Sequence, residues 1–269
     1  MTTSYARAGD FQPPSFRLDG RVALVTGAGR GLGQAVALAL AHAGADLAAA
    51  ARSTVEVEET CARAAALGRQ TLARPVDLLE PGNAAALVQD TVSNFGRLDV
   101  LVHAAGINIR QPAGDFTPAD VSRIMRVNVE SAFFLAQAAA PVMRGAGRGR
   151  IICITSVATR VAIPRVSVYS MSKAALEQMV RALAIEWARD GITVNAIAPG
   201  RFWTSMTDAV FSNPALHESA VRVIPMGRPG VPTDLGGAAV FLASDASAYM
   251  TGQTIVVDGG WLASAGVAG

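Results

Sequence analysis

The sequence predicts an α/β fold, a single doubly wound domain built on a mostly parallel sheet of about seven strands. Three observations predict it. Short apolar runs alternate with helix-length segments from residue 20 onward, the pattern of repeated βαβ units. The runs are almost continuously apolar, as strands covered on both faces should be. No stretch rich in proline, glycine or charge divides the pattern into two parts, so residues 20–269 read as one unit preceded by an N-terminal arm at 1–19.

The elements follow in order. V-A-L-V-T at 22–26 is a buried strand, and an alanine-rich helix spans 31–43. The apolar run 46–51 is the second strand, followed by a helix over 53–67. Strand 71–76 ends at Asp77 and Leu78, and Pro81 opens a helix that reaches Phe95. Strand 99–103 gives way to the loop A-A-G-I-N at 104–108. Pro118 suits the first turn of a helix, which runs unbroken to about 143. The arginine- and glycine-rich stretch 144–150 reads as a solvated connection. Strand 151–155, the polar segment 156–167, a helix over 168–189 and strand 192–197 come next. Residues 201–230, with prolines at 214, 225 and 229, form an irregular loop region suited to covering a substrate. A helix at 232–243 and strand 254–258 complete the sheet.

Composition excludes several function classes. The net charge is +2 with no basic tract, which argues against a nucleic-acid partner. The three histidines are far apart and lack ligand spacing, so no metal site is expected. Cys61 and Cys153 read as reduced, partly buried thiols. No apolar 18-mer appears, which excludes a membrane-spanning helix. The polar, proline-containing N-terminus is unlike a secretory signal, and a cytoplasmic location is expected. Only 16% of residues are charged and 51% are hydrophobic. Surface hidden between subunits, or helices covering the sheet, would account for this.

The chemistry begins at T-G-A-G-R-G-L-G, residues 26–33. A glycine turn between a buried strand and a helix lets a phosphate approach free backbone N–H groups. Position 32 is leucine, so the common G-x-G-x-x-G pattern is incomplete. The spacing is T-G-x-x-x-G-x-G through Gly27, Gly31 and Gly33. A mononucleotide phosphate loop is disfavoured because no G-K-[ST] follows. Further along, Tyr169 and Lys173 in Y-S-M-S-K are four residues apart and share a helix face. An ammonium nearby is expected to lower the tyrosine pKa, making Tyr169 a usable acid or base. Ser156 follows a strand and could bond the same substrate oxygen.

These motifs resemble the short-chain dehydrogenase/reductase family over residues 20–261. The matching stretches are T-G-A-G-R-G-L-G, Asp77-Leu78, Ala105-Gly106, Asn128, Ser156, Y-S-M-S-K, N-A-I-A-P-G at 195–200 and V-D-G-G at 257–260. The resemblance implies a Rossmann-type fold, a nicotinamide cofactor and reversible alcohol oxidation. It implies that Tyr169 is the general acid/base, that Lys173 activates it and holds the nicotinamide ribose, and that Ser156 polarises the carbonyl. Asn128 would support a water-linked proton relay. Cofactor contacts would come from Gly27, Arg30, Gly31, Leu32, Gly33, Arg52, Asp77, Leu78, Ala105, Gly106, Tyr169, Lys173, Pro199, Gly200, Phe202 and Thr204. Asp77 would bond adenine and Thr204 the carboxamide. H-A-A-G at 103–106 departs from the family's paired asparagines, and His103 reads as structural. Family members are often homotetramers, and the apolar helix 118–143 and W-L-A at 261–263 suit an interface.

Cofactor choice turns on Ala51, which stands where NAD-type members carry an acid. With no carboxylate there, Arg52 and Arg30 could clasp a 2′-phosphate, so NADP(H) is expected over NAD(H). Among subgroups, G-I-N-I-R-Q-P at 106–112, A-I-E-W-A at 184–188 and D-G-G-W-L at 258–262 resemble gluconate 5-dehydrogenases and 2-dehydro-3-deoxy-gluconate 5-dehydrogenases. Arg110, Arg160 or Arg165 could then meet a sugar-acid carboxylate. Phe202, Trp203 and Met206 suggest an apolar lid, which keeps a 3-oxoacyl-carrier-protein reductase open as an alternative. A nucleotide-binding scaffold without turnover is the remaining alternative.

Overall fold

The computed structural model describes residues 13–264. Most of the expected N-terminal arm lies outside the described residues. Packing already begins at Leu18, which is fully buried and donates its N–H to the Ala43 carbonyl at 2.8 Å.

Seven strands form one sheet: β1 (Val22–Thr26), β2 (Asp46–Ala51), β3 (Thr71–Pro75), β4 (Val100–His103), β5 (Gly149–Ile154), β6 (Ile192–Pro199) and β7 (Thr254–Val257). Their order is β3-β2-β1-β4-β5-β6-β7, and every neighbouring pair is parallel. Chain order reverses beside β1, where β2 and β4 flank it. A crevice opens beyond the carboxyl ends of strands at such a reversal. The Rossmann-type doubly wound fold is therefore present.

The helices are α1 (Gly31–His42), α2 (Thr54–Ala65), α3 (Asn83–Phe95), α4 (Pro118–Met125), α5 (Ser131–Gly145), α6 (Ser167–Trp187), α7 (Asp208–Phe211), α8 (Pro214–Arg222) and α9 (Gly236–Ala243). Two apolar clusters cover the two faces of the sheet. One packs Val36, Leu40 and Leu242 against Val25 and Val102. The other packs Leu135, Met143, Leu176 and Val180 against Leu24, Leu101 and Ile151. Strand residues alternate between these clusters, which is why the strands read as unbroken apolar runs. Local signals set the starts of several helices. Ser53 accepts the Glu56 N–H at the head of α2, and Thr117 and Asp120 form a reciprocal capping box before α4.

Three expectations need correction. The helix expected over 118–143 is interrupted by a π-helical turn at Arg126–Glu130, so it divides into α4 and α5. Such turns insert one extra residue and are common at functional sites. The solvated connection expected at 144–150 ends early, because Gly149 and Arg150 belong to β5. Arg150 is buried and donates to the Ser244 and Gly149 carbonyls. The irregular stretch 201–230 holds two short helices, α7 and α8, the second capped by Asn213.

Candidate active site

A cavity of about 780 Å³ opens along the carboxyl edge of the sheet, within the range of small-molecule and cofactor sites. Of the catalytic and cofactor-binding residues expected from the sequence, all except Asn128 line it.

The first wall is the glycine turn. A Cβ on Gly27 would lie 2.7 Å from the Ala105 backbone nitrogen, and one on Gly33 would lie 2.1 Å from the Gly27 carbonyl oxygen. Both contacts exclude any side chain, so α1 can sit this close to β1 and β4 only with glycine. No side chain caps the start of α1 at Arg30. The first N–H groups of this 12-residue helix therefore remain available to an anion. Ala51, Arg52, Asp77 and Leu78 continue the wall past β2 and β3. The Asp77 carboxylate accepts the Leu79 N–H at 3.0 Å. Arg30 lies 3.5 Å from Glu56, a cavity residue that the sequence reasoning missed. Both side chains are substantially exposed, so this pair is weak and open to competition.

The second wall carries the acid–base set. Lys173 is buried and donates to the Ile154 carbonyl at 2.8 Å. Its ammonium stands 5.8 Å from the centroid of the Tyr169 ring. Burial pushes the Lys173 pKa down to about 8. The expected depression of the Tyr169 pKa by this ammonium does not occur. Burial raises the phenol, and the opposing influence is a hydrogen bond with Ser156. The same desolvation that disfavours tyrosinate weakens the lysine charge meant to stabilise it.

Asn128 sits behind the wall, fully buried in the π-helical turn. Its side-chain oxygen accepts the Ile107 N–H at 2.8 Å. Its amide donates to the Ile107 carbonyl at 3.0 Å and to the Ser172 hydroxyl at 2.9 Å. Asn128 thus joins the loop after β4 to α6, one residue before Lys173. On the other side of α6, buried Glu177 accepts from Thr159 at 2.8 Å and from Arg181 at 2.7 Å, with Arg160 at 3.5 Å. Thr159 belongs to the turn headed by Ser156, so this carboxylate ties that turn to α6.

The loop arginines are less well placed than expected. Arg160 is engaged with Glu177, and none of Arg110, Arg160 and Arg165 lines the cavity. The lid residues divide as well. Phe202 is a buried wall residue packed on Gly230, and Met206 lines the cavity. Trp203 turns away toward Phe211 and His217, with its indole N–H on Asp208 at 2.9 Å. Asn108, Arg123 and Thr207 line the cavity without having been singled out. Asn108 and Thr207 follow strands β4 and β6 closely enough for a rim position to have flagged them. Arg123, on α4, gives no such signal. Cys61 and Cys153 are buried free thiols, and burial lifts Cys153 to about 12. Among the described residues no cluster could hold a metal ion.

The family described as Enoyl-(Acyl carrier protein) reductase matches residues 27–262. The chain belongs to the short-chain dehydrogenase/reductase family. It is 43% identical over 251 residues to the 2-dehydro-3-deoxy-D-gluconate 5-dehydrogenase of Dickeya dadantii (strain 3937), covering 93% of this chain and 98% of that protein. The protein of that name from Escherichia coli (strain K12) matches at the same identity and coverage. The crystal structure of a gluconate 5-dehydrogenase from Burkholderia cenocepacia J2315, in complex with NADP and tartrate, superposes with a TM-score of 0.88. It is 38% identical, covering 92% of this chain and 97% of that one.

His103 ends β4, just before the cavity residues Ala104 and Ala105. It is buried between β1 and β4, with Nδ1 3.1 Å from the Thr26 hydroxyl, and that hydroxyl also accepts the Ala105 N–H at 3.4 Å. Its structural reading is supported by this position, and the Val127 backbone is a further polar neighbour of the ring. Burial, with the Lys173 charge adding to it, pushes its pKa down to about 3. The unfolded chain takes up a proton below about pH 6.5, whereas the folded chain does not until about pH 3. Stability from this site is therefore full above pH 6.5 and is lost as pH falls toward 3, by about 3 kcal/mol at pH 4. Urea unfolding at pH 7 and pH 4 checks this. His103→Asn should show a smaller loss on acidification than the wild type, and equal losses would contradict the assignment.

Proposed function

We propose that this enzyme is an NADP(H)-dependent oxidoreductase that interconverts a secondary alcohol and a ketone on a sugar acid. The carrying observation is that Ser156, Tyr169 and Lys173 line one cavity with an uncapped helix N-terminus and a glycine turn. The dinucleotide would lie across that turn, and its nicotinamide would supply or take up the hydride. The site fits such a group, because the contacts at Gly27 and Gly33 keep the cradle open and the free N–H groups of α1 suit a pyrophosphate.

In this reading Tyr169 gives a proton to the carbonyl oxygen in reduction and takes it back in oxidation. A raised phenol pKa suits the acid role, because the group stays protonated until the oxygen develops charge. Ser156 holds the same oxygen by a hydrogen bond. Lys173 offers its remaining protons to the ribose, and Asn128 keeps the Ile107 loop and α6 in register. Asp77 would bond the adenine, and Thr204 the carboxamide. The catalytic domain is read as residues 20–269, of which 265–269 lie outside the described residues, and residues 201–230 would cover the substrate.

Support for a sugar acid comes from the relatives, two named 2-dehydro-3-deoxy-D-gluconate 5-dehydrogenase and one a gluconate 5-dehydrogenase crystallised with NADP. Their names favour this reading over a 3-oxoacyl-carrier-protein reductase. The complete acid–base set weighs against a scaffold without turnover. Support for NADP(H) within the site comes from Ala51 flanked by Arg52 and Arg30 in the cavity wall.

We also propose a cytoplasmic homotetramer. Among the described residues no helix is long and apolar enough to cross a membrane. Phe133 and Phe134 on α5 and Ile185 on α6 are large exposed apolar side chains suited to burial between subunits. Light scattering should return four times the 27.7 kDa chain mass, and a monomer would contradict the proposal.

Steady-state assays with NADPH and NADH, on keto-sugar acids and on acyl thioesters, test the main reading. Wild-type kcat/KM should favour NADPH and a keto-sugar acid. Arg52→Ala should lower the NADPH value about 10- to 100-fold, the worth of a charge-assisted hydrogen bond, and change the NADH value far less. Removing the competing acid in Glu56→Gln should strengthen NADPH. An NADH preference insensitive to Arg52, or turnover confined to thioesters, would contradict it.

A further inference from the structure

We propose that Arg201, with Asn108, forms the subsite that binds the substrate's carboxylate and an adjacent hydroxyl. The inference rests on the sugar-acid reading above. It assigns recognition of the anionic end to a residue outside the acid–base set.

Arg201 follows Gly200 at the carboxyl end of β6; Gly200 and Phe202 line the cavity, and Arg201 adjoins that lining without belonging to it. Its guanidinium stacks on the Trp261 ring, 4.4 Å from the centroid. That stacking fixes the plane of the fork, so less freedom is lost when it meets a planar carboxylate. The Nε–H is buried and has no hydrogen-bond partner. A buried, unanswered donor on a cation costs free energy unless a ligand answers it. Among the described residues neither Arg201 nor Arg110 forms an ion pair with a carboxylate.

The neighbours point the same way. Arg110, on the loop after β4, lies close enough for its charge to depress the Arg201 guanidinium further, after burial. Two cations held together without an acid are unfavourable, and one anion between them relieves both the repulsion and the desolvation. Asn108 lies two residues before Arg110 and lines the cavity, and its side-chain oxygen is also buried without a partner. Donors on Arg201 and an acceptor on the asparagine match a carboxylate beside a hydroxyl. That pairing is what a polyhydroxy acid presents and what a neutral ketone or an acyl thioester lacks. By contrast, Arg160 is already held by Glu177.

Calorimetric titration of D-gluconate and of its neutral analogue D-gluconamide into the NADP⁺-saturated protein tests this. The wild type should bind gluconate the more tightly. Arg201→Gln should lose about 10- to 100-fold for gluconate, the worth of a hydrogen bond to a charged group, and should bind the two compounds about equally. Arg201→Lys, which keeps the charge and loses the fork, should fall between. NADPH affinity near the wild-type value in Arg201→Lys shows that the fold is intact. No preference for gluconate in the wild type, or an undiminished preference in both variants, overturns the subsite. The two readings fail separately. Arg201-dependent gluconate binding without turnover of any sugar acid preserves the subsite and removes the proposed reaction. Sugar-acid turnover indifferent to Arg201 does the reverse.

Discussion

All seven strands run parallel, and this constraint governs the site. In a parallel sheet every strand ends on the same edge, so the residue after each strand is delivered to one rim. The glycine turn, Ala51 and Arg52, Asp77, Ala105 and Gly106, Ser156 and Gly200 are far apart in sequence. They meet in one cavity because their strands share a direction. The crossover helices then cover both faces, which makes the rim the open polar edge of an otherwise apolar sheet.

Parallel strands bring the loops together but do not fix them. That falls to a few buried polar side chains. Asn128 satisfies both backbone groups of Ile107 and reaches Ser172 on α6. Asn128 makes these contacts from within the π-helical turn. Glu177 does the equivalent on the other side of α6, holding the turn that carries Ser156. Lys173 is anchored on the Ile154 carbonyl. Tyr169, Ser156 and Lys173 are therefore referenced to one helix and one strand end, which keeps their spacing narrow before a ligand arrives.

Much of this was legible in the sequence, for identifiable physical reasons. Apolar runs 22–26, 99–103 and 192–197 could only be covered strands, and the glycine turn and the Tyr169–Lys173 spacing survive as local patterns. What failed depends on distant partners. Nothing local around Arg126 to Glu130 announces a π-helical turn, whose Asn128 is bonded to Ile107, twenty-one residues away. Arg150 looked like a solvated charge, yet tertiary contacts with Ser244 and Asp245 draw it into β5. The tyrosine pKa went the other way because spacing shows who is near but not how deeply both are buried. Arg201 passed unnoticed because its meaning lies in Trp261 and Arg110, neither adjacent in sequence.

The central claim is that this rim holds a nicotinamide cofactor against a carbonyl carbon. Following deuterium from NADPH labelled at the reactive C4 position into the reduced sugar acid tests it most directly. The account predicts one deuterium on the new carbinol carbon for each cofactor oxidised, with the rate collapsing in Tyr169→Phe while NADPH binding persists. Deuterium lost to solvent, or a reduced product without the label, would contradict it.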